Sequence, residues 1–317
     1  MSLYSTEQRQ FGIKKESSRG TAEAAPAKWY PVDKDTSLDY KLNLIDDKAL
    51  RGIAEEFPPN LGTTMGSGKI KMPLDAQSIG EFLVSLLGAP TSAQQAATIA
   101  YKHTFLRATT IQRTGYTFFM DYGISVKKYN LGTVKKLTLT GPTDGIVMAD
   151  MDVLFKTEAT GAIGTPAFPT NQYLGFNGVS VKIGGSIDSD IKDWTLNIDN
   201  GAAAHRTLSQ SQDISDILVK GRMNISGNFK IYFQSETERA KFLAGTSQNL
   251  RFLCEGATIA STYKYTVDVY LPKIYYKAYP LADLDGLLGA TVEFDAKYDT
   301  STTKAISVDL TNADVSY

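Results

Sequence analysis

The feature that most constrains this sequence is that it repeats itself. Asp39-Tyr40-Lys41-Leu42-Asn43-Leu44 recurs as Asp193-Trp194-Thr195-Leu196-Asn197-Ile198, 154 positions later (193 minus 39). In both, apolar and polar residues alternate. That is the pattern of a half-buried strand, with Tyr40, Leu42 and Leu44, or Trp194, Leu196 and Ile198, on one face. Ser67-Gly68-Lys69-Ile70-Lys71-Met72-Pro73-Leu74 matches Ser226-Gly227-Asn228-Phe229-Lys230-Ile231-Tyr232-Phe233 at a separation of 159 (226 minus 67). A helical stripe follows each strand. Ile79, Phe82, Leu83 and Leu86 stand at i, i+3, i+4 and i+7 before Gly88 and Pro90, and Phe242-Leu243 repeats Phe82-Leu83 at 160 (242 minus 82) before Gly245. Ser235-Glu236-Thr237-Glu238 has the spacing of a capping box for the second helix. Tyr116-Thr117-Phe118-Phe119-Met120 is matched with Tyr265-Thr266-Val267-Asp268-Val269 at 149 (265 minus 116). Asp144-Gly145, leading to Ala149, Met151, Val153 and Phe155, is matched with Asp285-Gly286, leading to Ala290, Val292, Phe294 and Ala296, at 141 (285 minus 144). The blocks keep their order, and their drifting separations are what loop insertions and deletions produce, so the chain reads as two copies of one unit.

The expected fold is therefore mainly β: two tandem β-sandwich or barrel domains, each with a flanking α-helix, plus an N-terminal arm. The arm is placed at residues 1–28, where large apolar groups are few and Lys14-Lys15-Glu16-Ser17-Ser18-Arg19 forms a polar run. The first domain is placed at 29–160 and the second at 173–317. They are joined by a linker at 161–172, inside a stretch from Thr157 to Gln172 that carries Gly161, Gly164, Pro166 and Pro169.

Composition removes most chemistries. Lys plus Arg number 33 against 34 Asp plus Glu, a net charge of -1, so strong phosphate binding by a surplus of positive charge is not expected. The densest apolar stretch, Phe82–Leu87, falls far short of the roughly 18 residues of a spanning helix. The start of the chain, with Glu7 and Arg9, lacks an apolar segment of a secretory signal, and synthesis in a cytoplasm is expected. Cys254 is the single cysteine and is read as a small buried hydrophobe. His103 and His205, the two histidines, are read as ordinary rather than as a metal pair.

Candidate motifs fail in detail. Gly62 to Lys69 resembles a phosphate loop, but the first glycine and the closing hydroxyl residue are misplaced and a strand follows, so it is read as a glycine-rich connection. Asp188-Ser189-Asp190 and Asp283-Leu284-Asp285-Gly286 lack the full calcium-loop spacing and read as turns. Gly184-Gly185-Ser186 lacks the second glycine of a nucleophile elbow, and Asp46-Asp47 and Glu55-Glu56 read as solvated acids rather than acid/base pairs. No catalytic residue, cofactor or metal is expected. Tyr275, Tyr276 and Tyr279 are the best candidates for a stacking platform, against a plain strand or interface role. Two long loops, from about Ala49 to Gly66 and from about Asn200 to Val219, interrupt the repeat at the same place. Their mixed apolar and charged content favours contact surfaces.

Several segments together resemble the tail tube proteins of long, non-contractile-tailed bacteriophages. They are Glu16-Ser17-Ser18-Arg19-Gly20-Thr21 followed by Trp29-Tyr30-Pro31-Val32, Gly66-Ser67-Gly68-Lys69-Ile70 leading to Leu86-Leu87-Gly88, His103-Thr104-Phe105 and Val134-Lys135-Lys136-Leu137-Thr138-Leu139. In the second half, Trp194-Thr195-Leu196-Asn197-Ile198-Asp199-Asn200 and Ile225-Ser226-Gly227-Asn228-Phe229 are similar to the family's strand pattern. Arg19 departs from it, standing where an aromatic residue is expected. The resemblance implies a structural virion protein assembled in the host cytoplasm into the virion tail. Its rings, sixfold or pseudo-sixfold and so trimeric if both repeats are tube domains, would stack with other tail proteins into a conduit for DNA ejection. DNA would pass without specific binding, and no membrane is involved. Phe11 and Arg19 in the arm, Arg51, Phe57, Pro58 and Leu61 in the first loop, and Arg206 and Leu208 in the second are expected at inter-subunit or inter-ring contacts. The alternative from another class is a carbohydrate-binding adhesin or other virion surface β-sandwich module. A hydrolase on a β-sandwich is third.

Overall fold

The computed structural model describes residues 4–170 and 172–317. Its first half contains β1 (Gln10–Lys15), β2 (Lys28–Tyr30), β3 (Ser37–Ile45), β4 (Asn60–Pro73), α1 (Gly80–Leu87), β5 (Thr91–Gln94), β6 (Tyr101–Leu106), β7 (Tyr116–Asp121), β8 (Val126–Gly141), β9 (Met148–Phe155) and β10 (Glu158–Thr160). The second contains β11 (Val179–Ile183), β12 (Ser186–Ile187), β13 (Ile191–Asp199), β14 (Ala202–His205), β15 (Asp216–Val219), β16 (Asn224–Tyr232), α2 (Thr237–Ala244), β17 (Gln248–Ala260), β18 (Tyr263–Ala278), β19 (Leu281–Leu284), β20 (Leu287–Ala296) and β21 (Ser307–Asn312). The chain is mainly β.

Antiparallel pairing runs without a break across both halves in the order β3–β4–β9–β8–β13–β16–β20–β18. One face of this sheet is apolar: Ile70, Met72, Met151, Val153, Leu137, Leu139, Leu196, Ile198, Phe229, Val292 and Phe294 are all buried. Strict alternation along each strand puts polar residues on the other face. Two outer sheets cover the apolar face. In the first half the outer order is β2–β1–β7–β8–β10, β8 bending from one layer into the other; in the second it is β12–β11–β17–β18–β21–β6–β5, with β18 bending likewise. Trp194 of β13 stacks on Phe252 of β17 at 4.4 Å across the layers. The large aromatic rings bring much of the buried apolar area that holds the layers together.

The two halves are wired alike. In each, an outer strand (β1 or β11) precedes an inner pair (β3–β4 or β13–β16), then a helix, an outer strand (β7 or β17), a long bent strand (β8 or β18) and a return inner strand (β9 or β20). Register also agrees. Gly68 faces Val153 and Gly227 faces Phe294, which are 159 (227 minus 68) and 141 (294 minus 153) positions on, the separations read from sequence. Gly68 and Gly227 answer to the same steric demand. A Cβ would lie 2.3 Å from the Ser37 carbonyl oxygen in one case and 2.3 Å from that of Thr195 in the other.

Several expectations are corrected. Within the segment expected as an arm, residues 10–15 form β1, which pairs along its whole length with β7, and Phe11 and Ile13 are buried. The Gly62–Lys69 segment is not a connection but lies inside β4. The Asn200–Val219 loop contains the two-stranded hairpin β14–β15. The strand block at Tyr116 answers to β17 by its place in the sheet, not to Tyr265 in β18, whose counterpart is β8. Leu38 faces Gly68 where Leu196 faces Gly227, so β3 and β13 correspond at 158 (196 minus 38) rather than 154. That slip of four residues explains why Leu42 and Leu44, placed on the inner face by sequence, are exposed beyond the end of the core. The capping box is not formed. Ser235 Oγ accepts the Thr237 N–H at 3.4 Å, but the Glu238 carboxylate turns to Lys241, Gln248 and Tyr276.

Candidate assembly interface

The hairpin β14–β15 lies over one end of the first half. Asn200 sets its path: the buried side chain donates to the carbonyls of Val134 (2.9 Å) and Leu86 (3.2 Å), and its Oδ1 accepts the Ala202 N–H at 2.9 Å. Ala202, Ile214, Ile217 and Val219 then form a small apolar cluster with Leu131, with Leu154 packed against it. Arg19 closes the contact by donating to Asp216 Oδ1 at 2.7 Å, to the Ile217 carbonyl at 2.6 Å and to the Arg113 carbonyl. Gln112 donates to Asp216 Oδ2 at 2.9 Å. Burial alone raises the pKa of Asp216, but the hydrogen bonds from Arg19, Gln112 and the Ile217 N–H outweigh it and hold it below the ordinary carboxylate range. Beside it, Glu16 accepts the N–H groups of Leu131 (2.6 Å) and Gly20 (2.6 Å); burial dominates there and pushes its pKa up.

The corresponding connection between β3 and β4, residues 46–59, has no such seat. Leu50 is 101% exposed and Ile53 61%, and the flanking Leu42, Leu44, Ile45 and Leu61 are exposed as well. The loop is held only locally. Arg51 pairs with Asp47 at 2.6 Å and lies over the Phe57 ring at 4.3 Å. Its base leans on the other hairpin through Asp213, which accepts from Tyr40 and Thr64 at 2.6 Å each.

The residues expected at contacts thus fall into two groups. Phe11 is in the core, which corrects it from a contact residue to an internal one, and Arg19 is bonded to Asp216, Ile217 and Arg113 of its own chain while its side chain keeps 22% exposure. Arg51, Phe57 and Pro58 share the bare first connection, and Leu61 stands exposed at the start of β4 beside it. Leu208 is 109% exposed, whereas Arg206 is bound to the carbonyls of Gln212 and Thr64 at 3.2 and 2.9 Å.

Sequence reasoning missed two open strand edges. On its outer side β3 has no partner strand among the described residues, and neither does the edge made by the end of β18 and its continuation β19, interrupted at Pro280. Between these edges the polar face carries charges of both signs, among them Lys69, Lys71, Asp150, Asp152, Asp193 and Lys230, interleaved with Thr138, Asn197 and Asn228. Lys230 and Asp193 pair at 3.1 Å.

The other candidates resolve into structure. His103 is buried with Nδ1 2.7 Å from Ser92 Oγ and Nε2 2.9 Å from the Asp314 carbonyl, and burial lowers its pKa. Burial also pushes the Cys254 thiol up to about 12. Asp188 and Asp283 accept turn N–H groups from Asp190 and Gly286. Tyr279 is buried and Tyr276 donates to Glu238 at 2.6 Å, so the three tyrosines form no exposed platform. Among the described residues no helix is long and apolar enough to cross a membrane. A search among curated proteins finds no matching relative. The family model described as phage tail tube protein matches residues 6–310, and the chain belongs to that family, whose members are structural proteins of the virion tail rather than enzymes.

Proposed function

We propose that the two halves are tandem copies of one tube unit and that three chains close a pseudo-sixfold ring, which stacks into a conduit for DNA ejection. The observation that carries this reading is the junction between β8 and β13, where one half hydrogen-bonds edge to edge with the other over Lys136–Gly141 and Trp194–Asp199. An open edge in the equivalent place needs the same kind of partner, because unpaired strand N–H and C=O groups invite another strand. The edge of β3 answers to that of β13, and the β18–β19 edge answers to β8. Pairing β3 of one chain with β18–β19 of the next repeats the internal junction between chains and removes both edges.

The polar face of the continuous sheet then lines the lumen. Its mixed charge suits passage, since a basic wall would hold DNA by releasing counterions from the phosphates.

The internal register supplies the test. Leu196 stands in the place of Leu38, so Asp199 stands in that of Lys41 (199 minus 196 equals 41 minus 38). Lys136 faces Asp152 as Ala278 faces Glu293, 141 positions on (293 minus 152). Asp199 faces Lys136, so Lys41 of one chain faces Ala278 of the next. A chain carrying both Lys41→Cys and Ala278→Cys is expected to form a disulfide ladder in assembled tubes on non-reducing gels. Tubes in electron micrographs with no ladder reject this edge pairing, and purified protein that gives neither rings nor tubes at high concentration rejects the conduit.

A further inference from the structure

The two sandwiches differ at the end where β3 turns into β4. That end of the first is stoppered by the β14–β15 hairpin through Ile214, Ile217 and Val219 against Leu131 and Leu154. The same end of the second is open. A cavity of about 900 Å³ lies there between the start of β16 and the end of β20 on one side and the end of β6 and start of β21 on the other. Ala296 in its wall stands in the place of Phe155, 141 positions on (296 minus 155).

The wall of this cavity is basic. Arg107, Arg113, Arg222, Lys297 and Lys304 line it, and no carboxylate does so among the described residues. Only part of that charge is met nearby: Lys297 pairs with Asp295 at 3.1 Å and Lys304 lies over the Tyr270 ring at 5.7 Å, while Arg107 donates to the Gly221 carbonyl at 3.3 Å. Burial and the neighbouring Arg107 both lower the pKa of Arg113, as expected where cations face one another.

We infer that the 46–59 connection of a second copy of this chain, the next in the ring, plugs this cavity as the β14–β15 hairpin plugs the first sandwich. The occupant fits in chain position, in its bare apolar residues and in charge. It follows β3 as the hairpin follows β13. It presents Leu50 and Ile53, which find no apolar cover in their own chain. Residues 46–57 carry Asp46, Asp47, Glu55 and Glu56 against Lys48 and Arg51, a net charge of -2 (two minus four). Asp47 is already paired with Arg51, leaving Asp46, Glu55 and Glu56 for the basic wall. The contact is lateral, within a ring, rather than between stacked rings.

This inference rests on the β3-to-β18 ring junction, and the experiment separates the two. Chains with Ile53→Cys and Tyr298→Cys are assembled in parallel with chains carrying the Lys41→Cys and Ala278→Cys pair; buried Cys254 stays in both. A disulfide ladder from both pairs, absent from dilute monomer, is expected. A ladder from the second pair but none from the first overturns the plug and leaves the ring standing; failure of both overturns the ring and the plug with it. Charge reversal gives a second arm. Glu55→Lys with Glu56→Lys, and separately Lys297→Glu with Lys304→Glu, are expected to abolish sedimentable tubes while the thermal melt of the monomer is unchanged, and mixing the two reversed proteins is expected to restore them in part. Tubes as abundant as wild type from either reversed protein overturn the proposal.

Discussion

The helices α1 and α2 occupy the same place in the two halves and meet different fates. Seven of the eight residues of α1 are buried; none of α2 is. Phe82 packs on Tyr30 at 5.5 Å, Ser85 Oγ accepts the Val134 N–H at 2.9 Å, and a Cβ on Gly80 would strike the Tyr317 ring. The sequences already match these surroundings. Gly-Glu-Phe-Leu-Val-Ser-Leu-Leu is apolar nearly all round, as a helix covered on all sides must be, whereas Thr-Glu-Arg-Ala-Lys-Phe-Leu-Ala keeps a polar face. Yet Leu243, the counterpart of Leu83, is left 68% exposed. At the helices the first half buries within the chain what the second presents to its surroundings; at the connections the contrast is reversed, the second half's β14–β15 hairpin being seated and the first half's 46–59 connection bare.

Substitution at the paired positions tests this contrast most severely. Leu83→Ala removes a buried side chain and is expected to cost about 3 kcal/mol of monomer stability in urea unfolding. Leu243→Ala should cost less than about 0.5 kcal/mol by the same measurement, and equal losses at the two sites would break the comparison.

A smaller effect is expected at the seat of the hairpin. Asp216→Asn weakens the charge-assisted bonds from Arg19 and Gln112 and should cost about 1 kcal/mol near neutral pH. The sign of the pH dependence follows from the depressed pKa. The contribution of Asp216 is fully present above the ordinary carboxylate pKa and is lost as the pH falls through its lowered one, so the difference in melting temperature between wild type and variant should shrink on acidification. A difference that grows toward low pH would assign the loss to another group. Glu16, with its pKa raised, works in the opposite sense: its contribution weakens as the pH rises from the ordinary carboxylate value through the raised one.

How much of this was legible in the sequence depended on what each signal can resolve. The β4/β16 and β9/β20 correspondences were read to the residue, because a serine-glycine pair and an aspartate-glycine turn anchored the alternating patterns. The β3/β13 match slipped by four residues, since alternation has a period of two and any even shift keeps every side chain on its face. Tyr116 and Tyr265 were paired because aromatic residues suit strands in general, and that preference carries no information about which strand. Phe11-Gly12-Ile13 is too short an apolar stretch to mark a core strand inside a polar segment; only the distant β7 gives it a place. The basic cavity was out of reach, being assembled from residues near 107, 222 and 297 whose proximity nothing local records. The bare connection is legible in part: a long segment of mixed apolar and charged character is visible without tertiary contacts, but the end expected near Gly66 lies inside β4, whose glycines mask the strand.

The strand β21 sits between β18 and β6, and its register brings Ser307 against Leu106, 201 residues earlier (307 minus 106). During synthesis, β6 emerges long before the strand it must pair with, so the outer layer of the second sandwich stays incomplete until Asn312 is free to move. Closure over so long a sequence separation is slow. A chain interrupted before Ser307 leaves β6 and β18 each with a bare edge at the very wall where β16 and β20 need cover. Translation itself thereby acts as an inspector, since only a finished chain can close that outer layer.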